Sequence, residues 1–459
     1  MYLVIYVAFC YYVKIMISSI DGKIGVSIES GREALRDNVM NIISGQNVIA
    51  IIRKTLSILN PNIMKHSEIV GYIFYKMLEY EQEYSEQEML EYTWIAILHD
   101  IGLYRVDGLD NVADFEVNNT ESHSIYGFLF LKYLSPLAEK AEIVLYHHLD
   151  YERYGLVKNK YERITECLAF ADKMDTFMRR DKIQMEADYF TRYVDIKFSA
   201  RARNLFLEAE KKFGITAKLV SGEYREELNE LFSHIEMSEM DKKSFLGMLV
   251  YTIDFRSEYT VIHTMATVNF AQQLGVLMNL GAAELRQLYY GALLHDLGKI
   301  AIPINILESP GKLSAEEMRI MKAHVRITEM ILSGLVAPEV IDIAARHHEK
   351  LDGSGYHNGL SDKDLTLPQK IVAVADMLSA LYGQRSYKKS FESNIIKTIL
   401  SEEAADYKIS KPVVDCLLEN YDNIIRGFED EQEGHTIGLY LTIKEQYEEI
   451  WKKFEGIMR

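Results

Sequence analysis

Proline is scarce, with seven in 459 residues, and no stretch is rich in proline, glycine or serine. This argues against long disordered linkers and favours helices joined by short connections. Cysteine is scarce as well. Cys10, Cys167 and Cys416 are scattered, odd in number and form no Cys-x-x-Cys pair. Neither a disulfide framework nor a thiolate metal site is expected, and a reducing, cytoplasmic setting is. A basic excess is missing, since the net charge is −17. General nucleic-acid binding is therefore not expected, although local cations or metals could still hold a small anionic ligand. The apolar run from Tyr2 to Val13 ends at Lys14 and falls short of the about 20 residues that span a membrane. It also lacks the basic start and cleavage site of a signal peptide. Its Val, Ile and Tyr content favours a strand, and Asp21-Gly22 before "KIGVSIES" reads as a turn and return strand. A β-hairpin within residues 1–30 is expected, ahead of a membrane anchor through residues 2–17 or a disordered leader.

What remains is globular in composition, with 48% hydrophobic and 26% charged residues. The length fits two domains or more. Helical spacing of apolar residues dominates from about Gly31. "EYTWIAILHD" and "LRQLYYGALLHD" end at His-Asp; "AEKAEIVLYHHL" and "PEVIDIAARHHE" end at His-His. The predicted architecture is mainly α: two tandem helical bundles at 31–200 and 246–459, joined by a helical connector at 201–245.

Aligning the two halves reveals a repeat. The first offers His66, His99-Asp100, His123, His147-His148 and Asp172. The second offers His263, His295-Asp296, His324, His347-His348 and Asp376. Successive gaps are 33 and 32 residues, 24 and 29, 24 and 23, then 25 and 29. Ten of the thirteen histidines fall in these two series, so a tandem duplication is inferred. One such histidine would be an ordinary helix cap or packing residue. Five imidazoles and two carboxylates per half, buried together, would cost several kcal/mol without compensation. Divalent metal supplies that compensation, and the inventory suits two ions sharing a carboxylate. Such a pair generates hydroxide at neutral pH and offsets phosphoryl charge, which points to phosphate-ester hydrolysis.

The stretches "HDLGKIAIP" from His295, "HHEKLDGSGYHNGL" from His347 and "ADMLSALYGQRSYKKSF" from Ala375 resemble the HD superfamily of metal-dependent phosphohydrolases. Within it they resemble the HD-GYP family of bacterial cyclic-dinucleotide phosphodiesterases. The resemblance implies that His263, His295, Asp296 and Asp376 hold one ion, Fe or Mn by preference. It makes Asp296 the bridge to a second ion, held also by His324, His347 and His348. It gives Lys299 a place near the scissile phosphate, with Asp296 and Lys299 as the catalytic pair. Arg385 and Lys388 would contact ligand phosphates. Gly353 and Gly355 would shape a tight loop, and Tyr356 would stack on a base or pack beneath that loop. The implied reaction is hydrolysis of a cyclic dinucleotide, cyclic di-GMP first, to pGpG or GMP by a metal-activated hydroxide. The alternatives are a non-catalytic cyclic-dinucleotide receptor, or a phosphohydrolase of another nucleotide such as cyclic GMP-AMP or (p)ppGpp.

Two positions depart from the family pattern. His357 stands where proline is usual. Tyr259 stands where some members carry a glutamate for a third metal, with Glu258 one residue out of register, so two ions are favoured over three. The first half keeps the seven candidate ligands His66, His99, Asp100, His123, His147, His148 and Asp172, so it too is a candidate metal site. It lacks the lysine, with Leu103 in its place and Arg105 two residues on. It is expected to be a degenerate copy that regulates, dimerises or binds a different ligand.

Overall fold

A computed structural model describes residues 42–105, 120–181, 192–255, 260, 262–309, 311–387, 392–430 and 434–458. The expected hairpin and the apolar run at 2–17 lie outside the described residues. Among those described there is no β-strand, only isolated bridges joining Val194 to Phe198 and Asp352 to Ser361. None of the described helices is long and apolar enough to cross a membrane.

The first half comprises α1 (Gly45–Leu59), α2 (Pro61–Glu81), α3 (Glu86–Ile97), a 3₁₀ turn (Ile101–Arg105), α4 (Thr120–Leu134), α5 (Glu142–Leu145) and α6 (Glu162–Asp181). Three helices follow: α7 (Ala200–Phe213), α8 (Ile215–Ser221) and α9 (Tyr224–Ser233). The pattern then repeats as α10 (Glu239–Asp254), α11 (His263–Leu277), α12 (Ala282–Leu294) and a 3₁₀ turn (Leu297–Ala301). It continues through α13 (Ile304–Leu307), α14 (Ala315–Leu332), α15 (Pro338–Ala345) and α16 (Leu367–Tyr387). Four more helices close the chain: α17 (Ser393–Ala405), α18 (Lys411–Glu419), α19 (Tyr421–Phe428) and α20 (Gly434–Met458). The short α13 occupies the stretch where the second half is longer between His-Asp and the next histidine.

Local sequence sets several helix starts. Ser85 with Glu88, Ser238 with Asp241 and Ser314 with Glu317 form capping boxes that satisfy otherwise orphaned N–H groups of α3, α10 and α14. In each half the helix carrying the first histidine packs on the two that carry His-Asp and the final aspartate: α2 on α3 and α6, α11 on α12 and α16.

The halves exchange their leading helices. Helix α1 packs on α2 and also on the Leu297–Ala301 turn and α14 of the second half. Helix α10 packs on the Ile101–Arg105 turn and α4 of the first half, and on α1. Residues 248–254 of α10 are buried without a break, as a helix enclosed on all sides requires. The connector helices dock on the first half. Buried Lys76 of α2 pairs with Glu227 of α9 at 2.8 Å, and the Tyr72 hydroxyl donates to the same carboxylate at 3.1 Å. Helix α20 returns to α4 and α5, where Tyr447 stacks on Tyr126 (4.3 Å between ring centroids) and Phe454 on Tyr146 (5.8 Å).

Candidate metal centres

The apolar run of α12 buries Tyr290 to Leu294 and delivers His295 and Asp296 at the helix end. The chain then turns sharply onto α14, and Gly298 makes that approach possible. A Cβ there would lie 2.0 Å from the His324 carbonyl oxygen. Gly102 does the same for the first half, 2.1 Å from the His123 carbonyl oxygen. The Gly298 N–H donates to Thr328 Oγ1 (2.9 Å), whose hydroxyl donates to the His295 carbonyl (3.0 Å).

The seven second-half ligand candidates converge around Asp296, whose two oxygens face different partners. Oδ2 lies 3.4 Å from His263 Nε2, 3.1 Å from His295 Nε2 and 2.5 Å from Lys299 Nζ. Oδ1 lies 3.4 Å from His324 Nε2 and 4.0 Å from His347 Nε2. Asp376 approaches His263 Nε2 at 3.1 Å and His348 Nδ1 at 3.7 Å. His263, His295 and Asp296 form one compact group of donor atoms; His324, His347 and His348 form another.

The backs of the rings are tied down. Nδ1 of His295, His324 and His347 donates to the carbonyls of Ala292, Met321 and Ala344 at 2.6–2.7 Å. His263 Nδ1 meets the Ser379 hydroxyl at 2.8 Å. Such contacts fix the tautomer and aim Nε2 inward. Burial depresses His347, and takes His348 down to about 3, so both are neutral donors. Burial opposes charge on Asp296 and Asp376, but the surrounding imidazoles, joined at Asp296 by Lys299, outweigh it and hold both carboxyls well below the usual range. Burial also works against charge on Lys299, yet Asp296 prevails and raises its pKa, keeping it an ammonium.

The first half gathers its seven candidates in the same way. Asp100 lies 3.6 Å from His66 Nε2, 3.4 Å from His99 Nε2 and 3.3 Å from His123 Nε2. Asp172 lies 3.1 Å from His66 Nε2 and 3.5 Å from His148 Nδ1. His147 joins Asp100, His123 and His148 in one compact group. Where the second half has Ser379, the first has Asp175, whose carboxylate lies 2.5 Å from His66 Nδ1. Leu103 is buried at the place of Lys299.

Both donor sets fit divalent ions. The Nε2 atoms of His99, His147 and His295, and Oδ1 of Asp296, are buried and make no hydrogen bond. Imidazole and carboxylate donors, with no thiolate among them, suit metals such as Mn, Fe or Zn.

Several residues near the two sites were not singled out from sequence. Glu349 is 2% exposed and accepts the N–H groups of Asn358 (2.7 Å) and Leu360 (2.9 Å). Asp254 lines a small cleft with Thr264 and Asp296, and burial pushes its carboxyl up to about 7. Ser379 and Asp175 each stand three residues after the aspartate ligand, on one helix face; that spacing was the available signal. Tyr356 packs its ring 4.8 Å from His348. Gly353 has φ +78°, and a Cβ on Gly355 would lie 2.3 Å from the Lys350 amide. His357 Nε2 lies 3.0 Å from Glu329, which ties it to α14 rather than to the ligand cluster. The Arg385 side chain, Lys388, Glu258 and Tyr259 lie outside the described residues.

Comparison with known proteins agrees with this geometry. Two family models, both described as HD domain, match residues 63–192 and 247–409. The 3′3′-cGAMP-specific phosphodiesterase 1 of Vibrio cholerae is 25% identical over 388 residues, covering 80% of this chain and 90% of that protein. The cyclic di-GMP phosphodiesterase response regulator RpfG of Xanthomonas campestris is 36% identical over 42% of this chain and half of its own length. A solved structure of a cyclic GMP-AMP-specific phosphodiesterase from V. cholerae covers 82% of this chain and 97% of its own, with a TM-score of 0.50 and 17% identity. The chain belongs to the HD-domain family and carries two such domains in tandem. It is a metal-dependent phosphodiesterase of that family.

Proposed function

We propose that the second half hydrolyses a cyclic dinucleotide at the site built on Asp296, and that the first half holds metal without comparable turnover. The observation that carries the reading is the division of Asp296. One oxygen faces His263, His295 and Lys299; the other faces His324 and His347. A carboxylate so placed can bridge two ions, one held also by His263, His295 and Asp376, the other by His324, His347 and His348. Bound divalent ions, Fe or Mn by preference, would lower the pKa of coordinated water and offset charge on the phosphate. Lys299 supplies a fixed cation beside the bridge, where it can stabilise charge developing on the phosphoryl group. Arg385 and Lys388 remain candidates for the ligand phosphates.

The sequence alone put cyclic di-GMP first. A relative that aligns across both halves is named for 3′3′-cGAMP, and this supports moving 3′3′-cGAMP ahead. The test is anaerobic incubation of Mn- or Fe-loaded protein with a panel of cyclic dinucleotides, followed by chromatography of products. Linear dinucleotide or mononucleotide from 3′3′-cGAMP is expected, lost on chelation. Undiminished turnover in fully demetallated protein would refute the reading. For the first half alone, buried Leu103 in place of the lysine favours a binding or structural role.

A further inference from the structure

We propose that Lys322 forms a second phosphate subsite, which takes the phosphodiester of the substrate that is not being cut; this rests on the cyclic-dinucleotide reading above. Such a substrate carries two phosphodiesters, and only one can lie at the ion site during cleavage. The other needs a cation displaced from the metals. Lys299 sits beside the ion site, with its ammonium on Asp296, and Lys322 would act together with the sequence candidates Arg385 and Lys388. Lys322 is exposed on α14, two residues before the ligand His324. Its ammonium lies 4.7 Å from the centroid of the Tyr356 ring, which in turn lies 4.8 Å from the ring of the ligand His348. Lys322, Tyr356 and His348 therefore form a column that leads from an exposed cation to the metal site.

The column is held from both sides. Glu349 fixes the loop through the Asn358 and Leu360 amides, and the Tyr356 amide donates to the His348 carbonyl at 3.2 Å. His357 ties the same loop to Glu329 on α14, the helix that carries Lys322. A lysine presents a point charge suited to phosphate. The first half supplies an internal control. It keeps the seven ligand residues, yet Glu121 replaces Lys322, Leu103 replaces Lys299 and Leu149 replaces Glu349. These changes spare the candidate ion ligands and remove both lysines and the carboxylate that holds the Tyr356 loop.

The test uses the full-length, Mn-loaded protein with Lys322→Met and Lys322→Arg, on 3′3′-cGAMP and on bis(p-nitrophenyl) phosphate, which has a single diester. Lys322→Met is expected to lose about tenfold to a hundredfold in kcat/KM for the cyclic dinucleotide, carried by KM. For the single diester the loss should stay below about threefold. Lys322→Arg should recover most of the loss, and metal content should match the unaltered protein. An equal loss on both substrates, no loss on the cyclic dinucleotide, or a loss of bound metal overturns the subsite. If the unaltered protein cleaves the single diester but no cyclic dinucleotide, the substrate reading falls and takes the subsite with it.

Discussion

In the second half the candidate ligand His263 is steadied by the hydroxyl of Ser379; in the first half its counterpart His66 is held by the carboxylate of Asp175. A carboxylate behind an imidazole makes it a more basic ligand than a hydroxyl does. Burial of His66 works against its charge, but Asp172 and Asp175 outweigh it and raise its pKa. Burial likewise opposes charge on His263, and Asp296 and Asp376 raise it, so the contrast lies in the partner behind the ring and not in the direction of the shift. The cationic position shows the opposite trend. Lys299 sits beside the bridging Asp296, while buried Leu103 stands at the equivalent place. On the proposed reading, holding ions and acting on phosphate are separable properties of one scaffold. We read the first site as one that retains ions and the second as one that adds a cation, Lys299, for phosphate.

The comparison can be broken most sharply at the two candidate bridging aspartates. Asp296→Ala is expected to reduce kcat by about a thousandfold or more, whereas Asp100→Ala should reduce turnover less than about tenfold. Steady-state kinetics on a cyclic dinucleotide reads both, and the reverse result would exchange the roles of the halves. Lys299→Ala comes next, with an expected loss of about 10²–10³ in kcat. Elemental analysis should find the second-half ions retained; their loss would make Lys299 a structural partner of Asp296 instead. Asp175→Ser should weaken ion binding in the first half by about tenfold to a hundredfold, measured by competition with a chromogenic chelator. An unchanged affinity would remove the basis for calling that site retentive. Glu349→Gln is the smallest expected effect. It leaves one of two backbone amides poorly paired and should cost about 1–3 kcal/mol of stability, read by denaturant titration. No change would mean that the loop holds itself.

Much of this was legible in the sequence. The apolar periodicity ending at His-Asp and His-His located the helices, and the ten-histidine series located the side chains that cluster in each half. What escaped depends on contacts between helices distant in sequence. Glu349 is recognisable only once its carboxylate is seen under the amides of Asn358 and Leu360. Lys322 matters only because Tyr356 folds back toward α14. The segment 201–245 was expected to be a connector. It is helical, its helices α7 and α9 lie on α2, and α10, which starts at Glu239, packs with elements of both halves. No periodicity within one segment encodes that exchange.

The crossing of α1 and α10 ties the two copies to each other whatever each one does. Each copy lends the other a wall. A protease cut between Ser233 and Ser238 followed by separation would strip α10 from the first His-Asp turn and α1 from the second, leaving apolar faces bare on both fragments. Mutation can silence chemistry in one copy, but deleting that copy would unroof its neighbour.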